Sequence, residues 1–238
     1  MISRDWMEAP MHRDDNPDVS TRYAAIGHRV QWAIGWARGA LLLACLCLPV
    51  LAQAANRPTV LVMGDSLSAA YGLAESQGWV ALTAARIART HPGWSVVNAS
   101  ISGETTAGGA SRIEAALARH APSVLVIELG ANDGLRGLPL AQSRANLERM
   151  IVAAQAAGAK VLLVGMRMPP NLGRTYTEGF AGNYAALADE HGLAFVPFLL
   201  EPIATDRDAF QADNLHPVAA AQPALRDHVW PVLAPLLD

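Results

Sequence analysis

The sequence predicts an α/β domain: a doubly wound, five-stranded parallel sheet with helices on both faces. Three observations carry this. Short runs rich in Val, Ile and Leu recur five times, each separated from the next by a longer segment with apolar residues at helical spacing. Several runs are nearly continuous rather than alternating, as strands covered on both faces require. At 238 residues and 52% apolar composition, the chain can bury one substantial core.

The chain opens on a different kind of sequence. Residues 1–39 are polar with scattered Arg22, Arg29 and Arg38, and an apolar run over 40–52 leads to Ala52-Gln53-Ala54. A positive region, an apolar stretch too short to span a bilayer comfortably and a small-x-small site read as a secretory signal peptide cut near Ala54. That expects a periplasmic or secreted protein with no stable membrane span after cleavage. Lipid anchoring at Cys45, within Leu42-Leu43-Ala44-Cys45, is the alternative. The organisation is therefore an N-terminal extension and signal over 1–54 and one domain over 55–238. Both cysteines, Cys45 and Cys47, fall in the leader, so the mature chain offers no thiol nucleophile, disulfide or thiolate metal site. A formal charge of -3 provides no basic stripe for nucleic acid, and that class of partner is set aside.

Within the domain, residues 60–63 read as the first strand, running into Gly64-Asp65-Ser66-Leu67 and an Ala-rich helical turn. A helix over 78–91 buries Val80, Leu82, Ala84 and Ile87 and stops at His91-Pro92-Gly93. The second strand, 94–100, leads through Gly103 into a helix over 106–120. The third, 123–129, ends in Gly130-Ala131-Asn132-Asp133-Gly134, which has ordinary turn composition. A helix over 139–157 starts on Pro139 and ends at Gly158. The fourth strand, 160–165, opens a loop over 166–176 too rich in Pro and Gly for a core element. A helix over 177–191, a strand over 194–198, an irregular stretch and a helix over 218–237, with Pro217 suited to its first turn, complete the domain. Right-handed crossovers between such strands give a flavodoxin-like arrangement, with ligands beyond the carboxyl ends of the strands.

Ser66, Gly103 and Asn132 fall at those ends, and Asp213 and His216 in the loop before the last helix. Ser66 is a nucleophile if a base and oxyanion donors lie nearby; otherwise it or Asp65 is a helix cap. Gly103 lets backbone approach a ligand, or is a turn glycine. Asn132 offers a side-chain N–H to an oxyanion, and Asp133 an acceptor to hold its loop. The base is sought in Asp213-Asn214-Leu215-His216-Pro217, where Asp213 can orient one imidazole nitrogen and leave the other for Ser66. His91, His120 and His191 terminate helices, and His228 sits inside one.

Four short motifs in order, Gly-Asp-Ser66-Leu, Gly103, Gly-Ala-Asn132-Asp and Asp213-x-x-His216, resemble the SGNH (GDSL) hydrolase family. Residues 97–103, Glu128-Leu129-Gly130, residues 132–137 and Ala221-Gln222-Pro223 resemble its bacterial periplasmic acyl-CoA thioesterases and lysophospholipases. The resemblance covers roughly residues 58–237. It implies the SGNH hydrolase fold, Ser66 as nucleophile, His216 as base and then acid, and Asp213 as orienting partner. It also implies an oxyanion hole of the Ser66 and Gly103 N–H groups and the Asn132 side chain, with no metal or organic cofactor. The expected activity is hydrolysis of small acyl esters and thioesters by a monomer. The acyl chain is expected along Leu135, Leu138, Met168 and Pro169, from their position after the third and fourth strands. A carbohydrate O-acetyl esterase, or a catalytically silent binding protein on the same fold, are the rival readings.

Overall fold

Strands with no polar face frame the molecule. The computed structural model describes residues 57–238, so the signal peptide, its cleavage site and Cys45 lie outside the described residues. β1 (Thr59–Gly64) and β3 (Val124–Glu128) are buried along their whole length. They pair in parallel, from Val60 opposite Val124 to Gly64 opposite Glu128. β2 (Ser95–Asn98) adds outside β1, and β4 (Lys160–Val164) and β5 (Ala194–Val196) add outside β3, all parallel. The order is β2-β1-β3-β4-β5. The chain thus moves one way from β1 and the other way from β3, which makes the exits of these two strands the switch point where ligands bind in such sheets.

Right-handed crossovers divide the helices between the faces. α1 (Trp79–Thr90) packs against α6 (Gln222–Leu233). α2 (Thr106–His120), α4 (Leu140–Ala156) and α5 (Arg174–Glu190) form the other layer. Trp79, Tyr184 and Phe180 are the largest fully buried side chains, and they join the aliphatic strand residues in one core.

The expected strands and long helices are present, with two differences that affect the site. Residues 131–135, read from composition as a turn, form a short helix, α3 (Ala131–Leu135). Gly130 permits it, with φ at 125°; a Cβ there would lie 2.0 Å from the Tyr184 hydroxyl oxygen. Tyr184 donates to the Leu129 carbonyl at 2.8 Å and so fixes the same corner.

The second difference is at Pro217, which does not begin the last helix. It forms an isolated antiparallel bridge with Phe210. Gln211 N–H donates to His216 O at 2.8 Å, and Val218 N–H to Ala209 O at 2.9 Å. These bonds close residues 209–218 into a small hairpin whose tip carries Asp213, Asn214 and Leu215. The helical residues follow as a 3-10 turn (Ala219–Ala221), then α6, then a second 3-10 turn (Ala234–Leu236). Pro231 inside α6 has no N–H to continue the ladder. Among the described residues no helix is long and apolar enough to cross a membrane.

Candidate active site

Ser66 is the second residue after β1. The turn it begins is built by Asp65, whose carbonyl accepts from Ala69 N–H at 2.9 Å and whose Oδ1 accepts from Leu67 N–H at 3.0 Å. Asp65 therefore does act as a local cap, but its other oxygen faces the next strand: Asn132 Nδ2 donates to Oδ2 at 3.2 Å. The same Nδ2 donates to Glu104 O, in the Gly103 loop, at 2.9 Å. One amide thus joins the loops after β1, β2 and β3. Gly103, with φ at 80°, turns that second loop. The Ser66 and Gly103 N–H groups have no acceptor among the described residues.

The Ser66 hydroxyl meets a histidine from the hairpin, 150 residues away. His216 Nε2 lies 2.8 Å from Ser66 Oγ, and His216 Nδ1 lies 2.7 Å from Asp213 Oδ2. An ionised carboxylate only accepts, so Nδ1 carries the proton and Nε2 is free to accept from the serine hydroxyl. Asp213 Oδ1 also accepts from Leu215 N–H at 2.9 Å and from His216 N–H at 3.0 Å. These N–H groups, with the imidazole, hold its carboxyl down at about 2. The left-handed φ of 57° at Asn214 makes this tight return possible.

Buried carboxyls under Ser66 behave in the opposite way. Asp65 is inaccessible to solvent, and burial raises it from the ordinary 3.8 to about 6 against the pull of its hydrogen bonds. Glu128, the residue beside Gly64 on β3, is raised well above its ordinary range, first by burial and then by the Asp65 charge. Ser68 Oγ donates to Glu128 Oε2 at 2.7 Å. A third buried acid, Asp133, accepts from Thr106 N–H at 2.8 Å, from the Thr106 hydroxyl and from Ser143 Oγ at 3.2 Å. It was expected to hold its own loop; instead it clamps the start of α2. Glu104 is held by a two-pronged ion pair with Arg112, whose Nε lies 2.8 Å from Oε1.

A cavity of about 330 Å³ opens beside Ser66 and Asn132. Leu135, Met168 and Pro169 line it, joined by Phe198, Phe210 and Leu215. Leu138 does not line it. Its N–H donates to Asp133 O and its carbonyl accepts from Tyr176 at 2.9 Å, which turns it toward α5. The wall from Phe198 and Phe210 was not anticipated, because the segment between β5 and α6 has no regular period. Away from this site, ligand atoms of Glu148, Glu190 and His191 lie within 4.8 Å of one another, and Glu190 is already paired with Arg144. Among the described residues, His91, His120 and His191 stay at helix ends and His228 lies on Phe198 O at 3.0 Å.

The geometry has counterparts in known proteins. A family model described as GDSL-like Lipase/Acylhydrolase matches residues 62–223. Esterase TesA of Pseudomonas aeruginosa is 52% identical over 200 residues, 84% of this chain and 100% of its own length. Thioesterase 1/protease 1/lysophospholipase L1 of Escherichia coli K12 is 39% identical over 190 residues, 78% of this chain and 88% of its own. A crystal structure of TesA matches with a TM-score of 0.73 at 53% identity, covering 75% of this chain and 99% of that one. The chain belongs to the GDSL-like lipase/acylhydrolase family, the SGNH hydrolases, and by that membership is a carboxylic ester hydrolase.

Proposed function

We propose that the protein hydrolyses medium and long acyl esters and thioesters, lysophospholipids among them, through an acyl-enzyme on Ser66. The observation that carries this is the unbroken line from Ser66 Oγ through His216 to Asp213, at 2.8 and 2.7 Å, at the mouth of an apolar cavity. Ser66 Oγ attacks the acyl carbon as its proton passes to His216 Nε2, and Asp213 steadies the imidazolium. The Ser66 and Gly103 N–H groups and Asn132 Nδ2 receive the oxyanion. Asn132 turns one hydrogen to it from the longer bond with Asp65. Each such donor is worth about 3 kcal/mol of barrier in comparable acyl transfers. Collapse of the intermediate breaks the bond to the alcohol or thiol, which leaves with the proton from His216. Water then gives a proton to His216 and attacks the acyl-enzyme; Ser66 recovers its proton and the acid departs.

The names of the two relatives, an esterase and a thioesterase and lysophospholipase, support the substrate class. A cavity walled by Met168, Phe198 and Phe210 offers far more apolar surface than an acetyl group needs, which disfavours the rival O-acetyl esterase. The leader composition supports export with cleavage near Ala54, giving a periplasmic or secreted enzyme that acts as a monomeric domain over 55–238. The deciding measurement is hydrolysis of p-nitrophenyl esters from acetate to palmitate by the wild type and Ser66→Ala. Ser66-dependent turnover peaking at medium or long chains is expected. Turnover confined to acetate would move the reading to a deacetylase, and equal turnover by both proteins would overturn the triad.

A further inference from the structure

The proposed base sits on a water-facing loop, and its partner carboxylate is itself 41% exposed in its side chain. A single hydrogen bond to a half-exposed carboxylate competes with water and by itself leaves an imidazole free to swing. Two residues outside the triad meet this difficulty. Tyr71, five residues after Ser66 on the same turn, places its ring 4.4 Å from the His216 ring, centroid to centroid, at 37° between planes. Its N–H donates to Ser66 O at 3.1 Å, so the ring is fixed relative to the nucleophile itself. Gln211 then ties this turn to the hairpin. Its Nε2 donates to Tyr71 O at 2.8 Å and to Pro217 O at 3.2 Å, while its backbone N–H donates to His216 O. Gln211 Oε1 fills the space above Gly72, where a Cβ would lie 2.3 Å from it.

We propose that Tyr71 and Gln211 are positioning residues, a clasp that keeps the His216 imidazole aimed at Ser66 and supports its charged form from one face. The two ring nitrogens of His216 are taken by Ser66 and Asp213, so only its faces remain for further restraint. The Tyr71 π-face supplies one, and an aromatic face favours an adjacent cation. In each half-reaction His216 is transiently cationic, and the clasp acts at that moment. Tyr71 is 51% exposed, so folding does not require so large a ring there. The inference rests on the reading of His216 as the base.

The test compares Tyr71→Ala, Tyr71→Phe, Gln211→Ala and the double variant Tyr71→Ala/Gln211→Ala on p-nitrophenyl butyrate. Active sites are counted at end point with a fluorophosphonate, so that kcat is expressed per competent site. Tyr71→Ala and Gln211→Ala are expected to lower kcat about ten- to a hundredfold with KM nearly unchanged, the scale of a slight misalignment of reacting groups. Tyr71→Phe restores the ring and should stay within about twofold of wild type. The double variant should fall less than the product of the single losses, because both act through one imidazole. A merely structural role would lower the number of titrated sites and leave kcat per site intact, and that result overturns the clasp. So does a loss confined to KM, or a Phe variant as poor as Ala. Ser66→Ala run alongside separates the two ideas: if it retains turnover the triad reading fails, and if it is dead while Tyr71→Ala is fully active only the clasp fails.

Discussion

Ser66 and Asn132 leave the two central strands and rest on buried polar side chains, whereas His216 and Asp213 ride on a hairpin whose tip faces water. On the strand side, each acid is enclosed and surrounded by fixed donors: Asp65 by Leu67 N–H and Asn132, Asp133 by Thr106 and Ser143. Position there comes from packing, and it is stable against solvent but expensive in desolvation. On the hairpin side, position comes from short local bonds, Asp213 to Leu215 and His216 N–H and to the imidazole. Such bonds cost little to make and compete with water. On the proposed roles, the difference teaches that one site can combine an oxyanion-binding part that is also part of the core with a proton-handling part that is nearly independent of it.

That contrast can be broken most directly at His216, the proposed base. His216→Ala should lower kcat by about 10⁵–10⁶, the loss found when a triad base is removed. The free energy of unfolding in urea should change by no more than about 1 kcal/mol. A large loss of stability would show that the hairpin is not independent. On the other side, Asp133→Ala strands the buried Thr106 N–H and should cost about 3 kcal/mol of stability or more in the same urea experiment, with activity falling as the Gly103 loop loosens. A neutral result would mean the clamp is dispensable.

The pH dependence sharpens the comparison, because the two halves have opposite signs. Asp65 binds its proton more tightly folded than unfolded, with values of about 6 against 3.8. Its contribution is therefore fully present below about pH 4 and lost as pH rises through about 6. Glu128 works in the same direction. Asp213, held at about 2, contributes above its ordinary 3.8 and loses that contribution as pH falls toward 2. Melting curves of the wild type and Asp65→Asn should thus converge at low pH, with the variant losing less stability between pH 4 and 6, by at most about 3 kcal/mol. Parallel curves would remove Asp65 from the balance. The smallest effect is expected at Leu138→Trp, which should leave the chain-length profile unchanged because Leu138 lies off the cavity, while Met168→Trp should shift it toward shorter acyl groups.

Most of the frame, and the place on it of Ser66, Gly103 and Asn132, can be read from residues near one another in the chain. Continuous apolar runs identify β1 and β3, and Ser66, Gly103 and Asn132 follow strand ends because loops there are the ones aimed at a ligand. What escapes such reading is polar pairing across long separations. Nothing in the local composition links Gln211 to Tyr71, Ser68 to Glu128, or Asp133 to Thr106. The helix at residues 131–135 was hidden for a related reason. Its central residues, Asn132, Asp133 and Gly134, are poor helix formers, and it exists because Gly130 fits under Tyr184, a contact from a different helix. Pro217 misled through a sound local rule, since the backbone bonds of a hairpin outweighed its fitness for a helix start.

The position of His216, the proposed base, late in the chain has a consequence for how the enzyme is made. His216 reaches Ser66 only after residues 209–218 close on themselves, with Gln222 bridging from the start of α6 to Trp79 N–H at 2.9 Å and Arg86 meeting Asp227 at 2.9 Å. A chain synthesised or threaded from its amino end would carry a complete nucleophile turn for most of that passage with no base beside it. Under the proposed mechanism, acyl transfer thus waits on the docking of this hairpin, and a partly made chain is chemically silent toward esters.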